Sequence, residues 1–192
     1  MENVIEALGK IRVSSSKIVT SDPCYTMDVW CADIIDNALN GNYNAYIEIS
    51  DEGVWGKRVK RLFIVHEDYE NKYYVREYES NCGVDSGTFC FADHDYYAER
   101  HTDKLDEDWY DKNVCNRCEE NGYVVDDVCT ISSSGLGDGC YDVYSYRERN
   151  GYAVGAEIIF IDDYDEEDEW DGEDEWDGEY DDDDEYFAFR EE

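Results

Sequence analysis

Ala45-Tyr46-Ile47-Glu48-Ile49, the step Asp51-Glu52-Gly53 and the run from Arg58 to His66 are the stretch whose reading decides the fold. Apolar and polar side chains alternate in the first run, and Val59, Leu62 and Ile64 supply apolar positions in the last. Period-two alternation sends successive side chains to opposite faces of a strand, so the segment reads as a hairpin with one face in a core. On its N-terminal side, Ile11-Arg12-Val13 and Lys17-Ile18-Val19-Thr20 alternate around a serine turn, which predicts another hairpin ending at Ser21-Asp22-Pro23. Between the two the period changes. Val29, Trp30, Ile34, Ile35 and Leu39 recur at helical spacing between Asp28 and Gly41, which predicts an amphipathic helix over Met27 to Leu39.

Beyond the central hairpin, Tyr73 to Tyr78 and Gly87 to Ala92 read as a further strand pair joined by the loop Asn81 to Gly87. Glu107 to Glu120 reads as a short helix with Trp109, Val114 and Cys118 on one side. Val124 to Ile131, a glycine-rich turn, Tyr141 to Tyr146 and Ala153 to Ile161 close the pattern with strands. The expected fold is mainly β: a single-domain β-sandwich or strongly curved antiparallel sheet over residues 1–161, with one or two short helices. Eighteen tyrosines and a single proline suit pleated, half-buried surfaces.

Fifty-one acidic and 16 basic residues give a formal charge of −35. Residues 162–192 hold 20 of the acids and one arginine, so −19 falls there and −16 on the rest. Glu-Asp-Glu-Trp-Asp-Gly occurs twice in tandem, at 167–172 and 173–178. A segment with so little apolar surface and so much self-repulsion is expected to be a disordered tail. Such charge disfavours free nucleic acid and anionic lipid as partners and favours a basic protein surface. There is no run of 18 apolar residues, and Met1 leads into Glu2 and Glu6, so neither a membrane span nor an export signal is expected and a cytoplasmic location is. The eight cysteines then stay reduced, with Cys90 reading as a small buried thiol.

Several groups are candidates for chemistry. Asp85, Ser86, Asp93 and His94 bring acid, base and hydroxyl close together in sequence, with Asp95 and His101 nearby. They suit a small hydrolase if they converge, and turn chemistry if they do not, since no Gly-x-Ser-x-Gly elbow is present. Gly135-Leu136-Gly137-Asp138-Gly139 is rich enough in glycine to cradle an anion beside Ser132 to Ser134, yet a strand follows it, so a tight hairpin is the plainer reading. Cys115 and Cys118 have half the spacing of a zinc site, which Cys129, Cys140 or His101 would have to complete in space. Lys57-Arg58-Val59-Lys60-Arg61 reads as a solvated strand edge, or as a dock for the acidic tail. In the tail, Glu173, Glu175, Asp177, Gly178 and Asp184 parallel the order of a calcium loop without its flanking helices, which allows weak divalent binding and no defined cofactor. Trp170, Trp176, Tyr186, Phe187 and Phe189 interleave aromatics with the charge, as in acidic tails that occupy basic, aromatic grooves.

Three motifs are familiar as an ordered set: Ser21-Asp22-Pro23-Cys24-Tyr25; Gly83-Val84-Asp85-Ser86-Gly87 followed by Phe91-Ala92-Asp93; and Ser132 through Gly139-Cys140-Tyr141. Together they resemble the bacterial and phage proteins grouped as the DUF4241 family, over residues 11 to 161. The third departs from that pattern at Cys140, where a second small residue is usual. The resemblance implies a β-rich single domain and carries no assigned activity. It directs attention to Asp22, Asp85, Ser134, Gly137 and Asp138 as ligand-binding candidates. The leading functional expectation is a non-enzymatic binding module whose tail engages a basic partner or mimics nucleic-acid charge. The alternative is a small hydrolase or nucleotide-binding domain built on Asp85, Asp93 and Asp138, a signal-sequestering protein included, with a small anionic ligand.

Overall fold

The computed structural model describes residues 3–162, except 28, 71 and 102–104. The expectations for the acidic tail lie outside the described residues. Eleven strands form two antiparallel sheets. Strands β1 (Val4–Val13), β4 (Gly41–Asp51), β5 (Lys57–His66), β6 (Val75–Val84), β10 (Gly139–Arg147) and β11 (Ala153–Ile159) build the larger, in the order β1-β4-β5-β11-β10-β6. The smaller has the order β3-β2-β7-β9-β8, from β2 (Lys17–Ser21), β3 (Ala32–Asp36), β7 (Thr88–Asp93), β8 (Gly122–Val125) and β9 (Cys129–Ser133). Helices α1 (His94–His101) and α2 (Glu107–Asn113) complete the described elements, with short 3₁₀ turns at Gly53–Trp55 and Cys115–Arg117. No helix among the described residues is long and apolar enough to cross a membrane.

The mainly β sandwich follows from how the apolar residues divide. Tyr43, Ala45, Ile47, Leu62, Ile64, Ala156 and Ile158 from the larger sheet meet Ile18, Ile35, Phe89 and Phe91 from the smaller in one buried cluster. On its other face the smaller sheet packs Val19, Cys90, Ala92, Cys129 and Ile131 against Tyr97 of α1 and Trp109 of α2. The smaller sheet is therefore apolar on both faces, which blurs alternation along its strands.

That blurring explains the largest departure from expectation. No helix spans Met27 to Leu39: β3 pairs with β2, from Lys17↔Asp36 to Ser21↔Ala32. Ile35 enters the core between the sheets while Ile34 packs on the helix-covered face, so adjacent apolar residues serve two cores and imitate helical spacing. The partners of several strands also differ. The serine turn after β1 does not close a hairpin, because β1 pairs with β4 and β2 lies in the other sheet. Likewise β6 pairs with β10, while β7 lies between β2 and β9. The glycine-rich turn after β9 is a crossing from the smaller sheet to β10 in the larger, not a hairpin.

Two further corrections concern local chemistry. Val124 to Ile131 is not one strand: it breaks at Asp126 and Asp127, whose φ values of 51° and 57° match the left-handed pair of a type I′ turn, and β8 and β9 form the hairpin around it. The basic cluster is a strand edge only in part: β5 lies between β4 and β11, but β11 pairs with Arg61 to Val65, so exposed Lys57 and Arg58 pair with β4 alone. Lys60 sits in the register shift between Glu48/Ile49 and is buried, and Arg61 pairs with Glu48 at 2.5 Å and Glu157 at 3.0 Å. The central hairpin itself, β4 with β5, forms as expected.

Candidate functional site

Three connections gather at one end of the sandwich. Loop 22–31 leaves β2, loop 85–87 leaves β6 and loop 134–138 leaves β9; the pairings Ser21↔Cys90, Thr88↔Ser133 and Gly139↔Val84 bring them side by side. Asp22 is the hub. Its fully buried carboxylate accepts the amides of Cys24 at 2.9 Å and of Asp85 and Ser86 at 2.8 Å, and the Ser86 hydroxyl at 2.7 Å. The Ser134 amide donates to the Gly87 carbonyl at 3.0 Å and ties in the third loop. All three motifs singled out in the sequence are thus joined by hydrogen bonds between residues distant in sequence: Asp22 with Asp85 and Ser86, and Gly87 with Ser134.

The third loop is closed on itself. The Ser134 and Tyr141 hydroxyls both donate to the Gly137 carbonyl at 2.7 Å. Gly135 has φ +67°, and a Cβ there would lie 2.8 Å from the Val59 carbonyl oxygen, so the position requires glycine. β10 follows directly, leaving no helix N-terminus to face an anion. Asp22, Asp85 and Asp138 add negative charge, so the anion-cradle reading gains no support from this arrangement.

Above the hub is an aromatic and acidic corner. The Tyr25 hydroxyl donates to Asp85 Oδ2 at 2.9 Å, and its ring meets Trp30 edge-on, with centroids 6.3 Å apart and planes at 62°. Hydrogen bonding to Asp85 pushes the Tyr25 phenol up to about 12. Trp30 lies against Gly83 so closely that a Cβ there would come 1.6 Å from indole Cζ3. Yet the residue is 62% exposed.

The proposed catalytic set does not converge. Asp85 and Ser86 precede β7 and Asp93 and His94 follow Phe91-Ala92, so the two pairs lie at opposite ends of a six-residue strand. At the rise of an extended chain that is about 17 Å, far beyond the reach of a shared proton transfer. Asp93 instead binds the Ser14 and Ser15 amides and caps α1 through the Asp95 and Tyr96 amides. His94 faces Asp95 at 3.0 Å. Burial, with Asp22 beside it, pushes the Cys24 thiol well up, and burial pushes Cys31 and Cys82 up to about 12, so these thiols at the loop end stay protonated and are poor nucleophiles.

The cysteines expected to share a zinc ion are also apart. Cys115, Cys118 and Cys140 are exposed, whereas Cys129 is buried beneath the helices, and no group of three or more His, Cys, Asp or Glu among the described residues is placed to hold a metal. His101 is packed between Tyr97 at 4.4 Å and Trp109 at 4.9 Å, with neither ring nitrogen hydrogen-bonded among the described residues. Burial lowers its pKa from 6.5 to about 4, although Asp106 favours the charged ring. The unfolded chain therefore binds this proton near pH 6.5 and the folded chain only near pH 4. His101 thus favours folding fully above that window and progressively less as pH falls through it. Urea titrations should show the wild-type midpoint declining from pH 7 to about pH 4.5 and the His101→Phe variant declining less. Equal slopes would remove His101 as the cause.

Comparisons with protein-family models, curated proteins and solved structures find no match.

Proposed function

We propose that this protein acts by binding and not by catalysis: the sandwich presents a loop end held rigid by Asp22, and the acidic segment after it engages a basic protein surface or mimics nucleic-acid charge on such a surface. The observation that carries the reading is the −19 charge of residues 162–192. The separation of Asp85 and Ser86 from Asp93 and His94 at the two ends of β7 supports it over a hydrolase built on those four residues. No cofactor is invoked. The eight cysteines, all free, support a reducing, cytoplasmic location. A place beside the DUF4241-like proteins is proposed on the resemblance of the three sequence motifs alone.

Binding to immobilised polylysine, compared between the full chain and one lacking residues 164–192, tests the role of the segment. Affinity of the full chain should fall steeply between about 50 and 200 mM salt and drop at least about tenfold on deletion, with the far-UV spectrum of the sandwich retained. Unchanged binding after deletion rejects the reading.

A further inference from the structure

We propose that Tyr25, Trp30 and Asp85 form a recognition site for an alkylammonium group, such as the head of a lysine side chain. Two ring systems at 62° with centroids 6.3 Å apart make two sides of a corner, and a carboxylate hydrogen-bonded to one of them stands beside it. Ring faces and a carboxylate attract the same ligand, a soft organic cation that can shed part of its hydration. Asp85 has no basic side chain paired to it among the described residues, so its charge is available. Its exposure keeps that charge accessible from solvent.

The corner is held in place before any ligand arrives. The Asp85 amide is fixed on Asp22, the Tyr25 amide donates to the Asp22 carbonyl at 3.1 Å, and the Tyr25 carbonyl accepts the Tyr97 hydroxyl at 2.8 Å. Trp30 is backed by Gly83, where any larger residue would meet the indole. An exposed tryptophan held in this way loses little freedom when it binds, which is the property of residues that dominate interfaces. The −35 charge of the chain draws cations toward it. The site goes beyond the acidic segment's role, because it lies on the sandwich and would read one cationic group by shape.

Titrating the full chain with tetramethylammonium chloride, against sodium chloride at equal ionic strength, and following tryptophan indole N–H resonances by NMR tests the site. Trp55, 65% exposed in the turn between β4 and β5, three strand positions from β6, is the internal control. Trp30, assigned with a Trp30→Phe variant, should shift saturably in the millimolar range while Trp55 moves little. Asp85→Asn, which keeps the backbone contacts, should weaken binding about fivefold, the worth of one exposed charge contact. Equal movement of Trp30 and Trp55, or undiminished binding by Asp85→Asn, overturns the site. A negative result here leaves polylysine binding by the acidic segment untouched, and loss of that binding leaves the Trp30 shift untouched, so the two proposals fail separately.

Discussion

Replacing Asp22 with alanine should lower the stability of the sandwich by about 3–5 kcal/mol, because three backbone amides and a hydroxyl lose their acceptor where little water can replace it. Oδ1 holds Cys24 and the Ser86 hydroxyl, and Oδ2 holds the Asp85 and Ser86 amides. Asn in its place can satisfy one of these sides only, since its amide nitrogen would face a donor on the other, so Asp22→Asn should fall between alanine and wild type. Chemical denaturation measures both. A loss below about 1 kcal/mol for alanine would mean that loops 22–31 and 85–87 are not held together by this carboxylate. The same variant should release the Tyr25, Trp30 and Asp85 corner, seen as broadening of the Trp30 indole resonance.

Asp93→Ala should cost a similar amount, about 3–4 kcal/mol, at the opposite end of β7. Its Oδ2 accepts the Ser14 and Ser15 amides at 2.7 and 2.9 Å and the Ser15 hydroxyl at 2.9 Å, while Oδ1 accepts the first-turn amides of α1. Burial alone would raise the carboxyl pKa, but these donors outweigh it and hold the group below its ordinary value of 3.8. The folded state thus releases this proton more readily than the unfolded chain. The resulting stability is present above about pH 4 and is lost as pH falls through the folded value. Wild type should therefore weaken in acid below the window assigned to His101, and Asp93→Ala should lack that final decline. An alanine variant as stable as wild type at pH 7 would contradict the role of Asp93 as a clamp between the serine turn and α1.

What the sequence revealed and what it hid follow from the range of the interactions. The β4–β5 hairpin was legible because alternation and turn chemistry are local. Strand partners were not, since the turns at 14–16, 85–87 and 134–138 carry the chain between sheets, and period two marks a strand without naming its neighbour. Helix α1 left a signal that could have been used: Asp93 is a favourable cap, and Tyr97 and His101 are four residues apart on one face. Asp22, Asp85 and Ser134 were legible as parts of motifs. Their union was not, because the Asp85 and Ser86 amides that Asp22 binds, and the Gly87 carbonyl that Ser134 binds, are distant in sequence from their partners. Trp30 was read as a core residue of a helix, and only the close approach of Gly83 shows why a tryptophan can sit exposed on a loop.

The position of β11 bears on how the chain is made. It is inserted between β5 and β10, with the residues from Ala153 through Ile158 buried. Synthesis runs from the N-terminus, so the β4–β5 hairpin exists before its neighbour does, and the β6–β10 pair cannot join it until the last described strand emerges. During that interval two open strand edges face solvent, the condition under which nascent chains pair with one another. Like charge on every copy opposes such encounters. The acidity of this protein thus has work to do during its own biogenesis, before any partner is met.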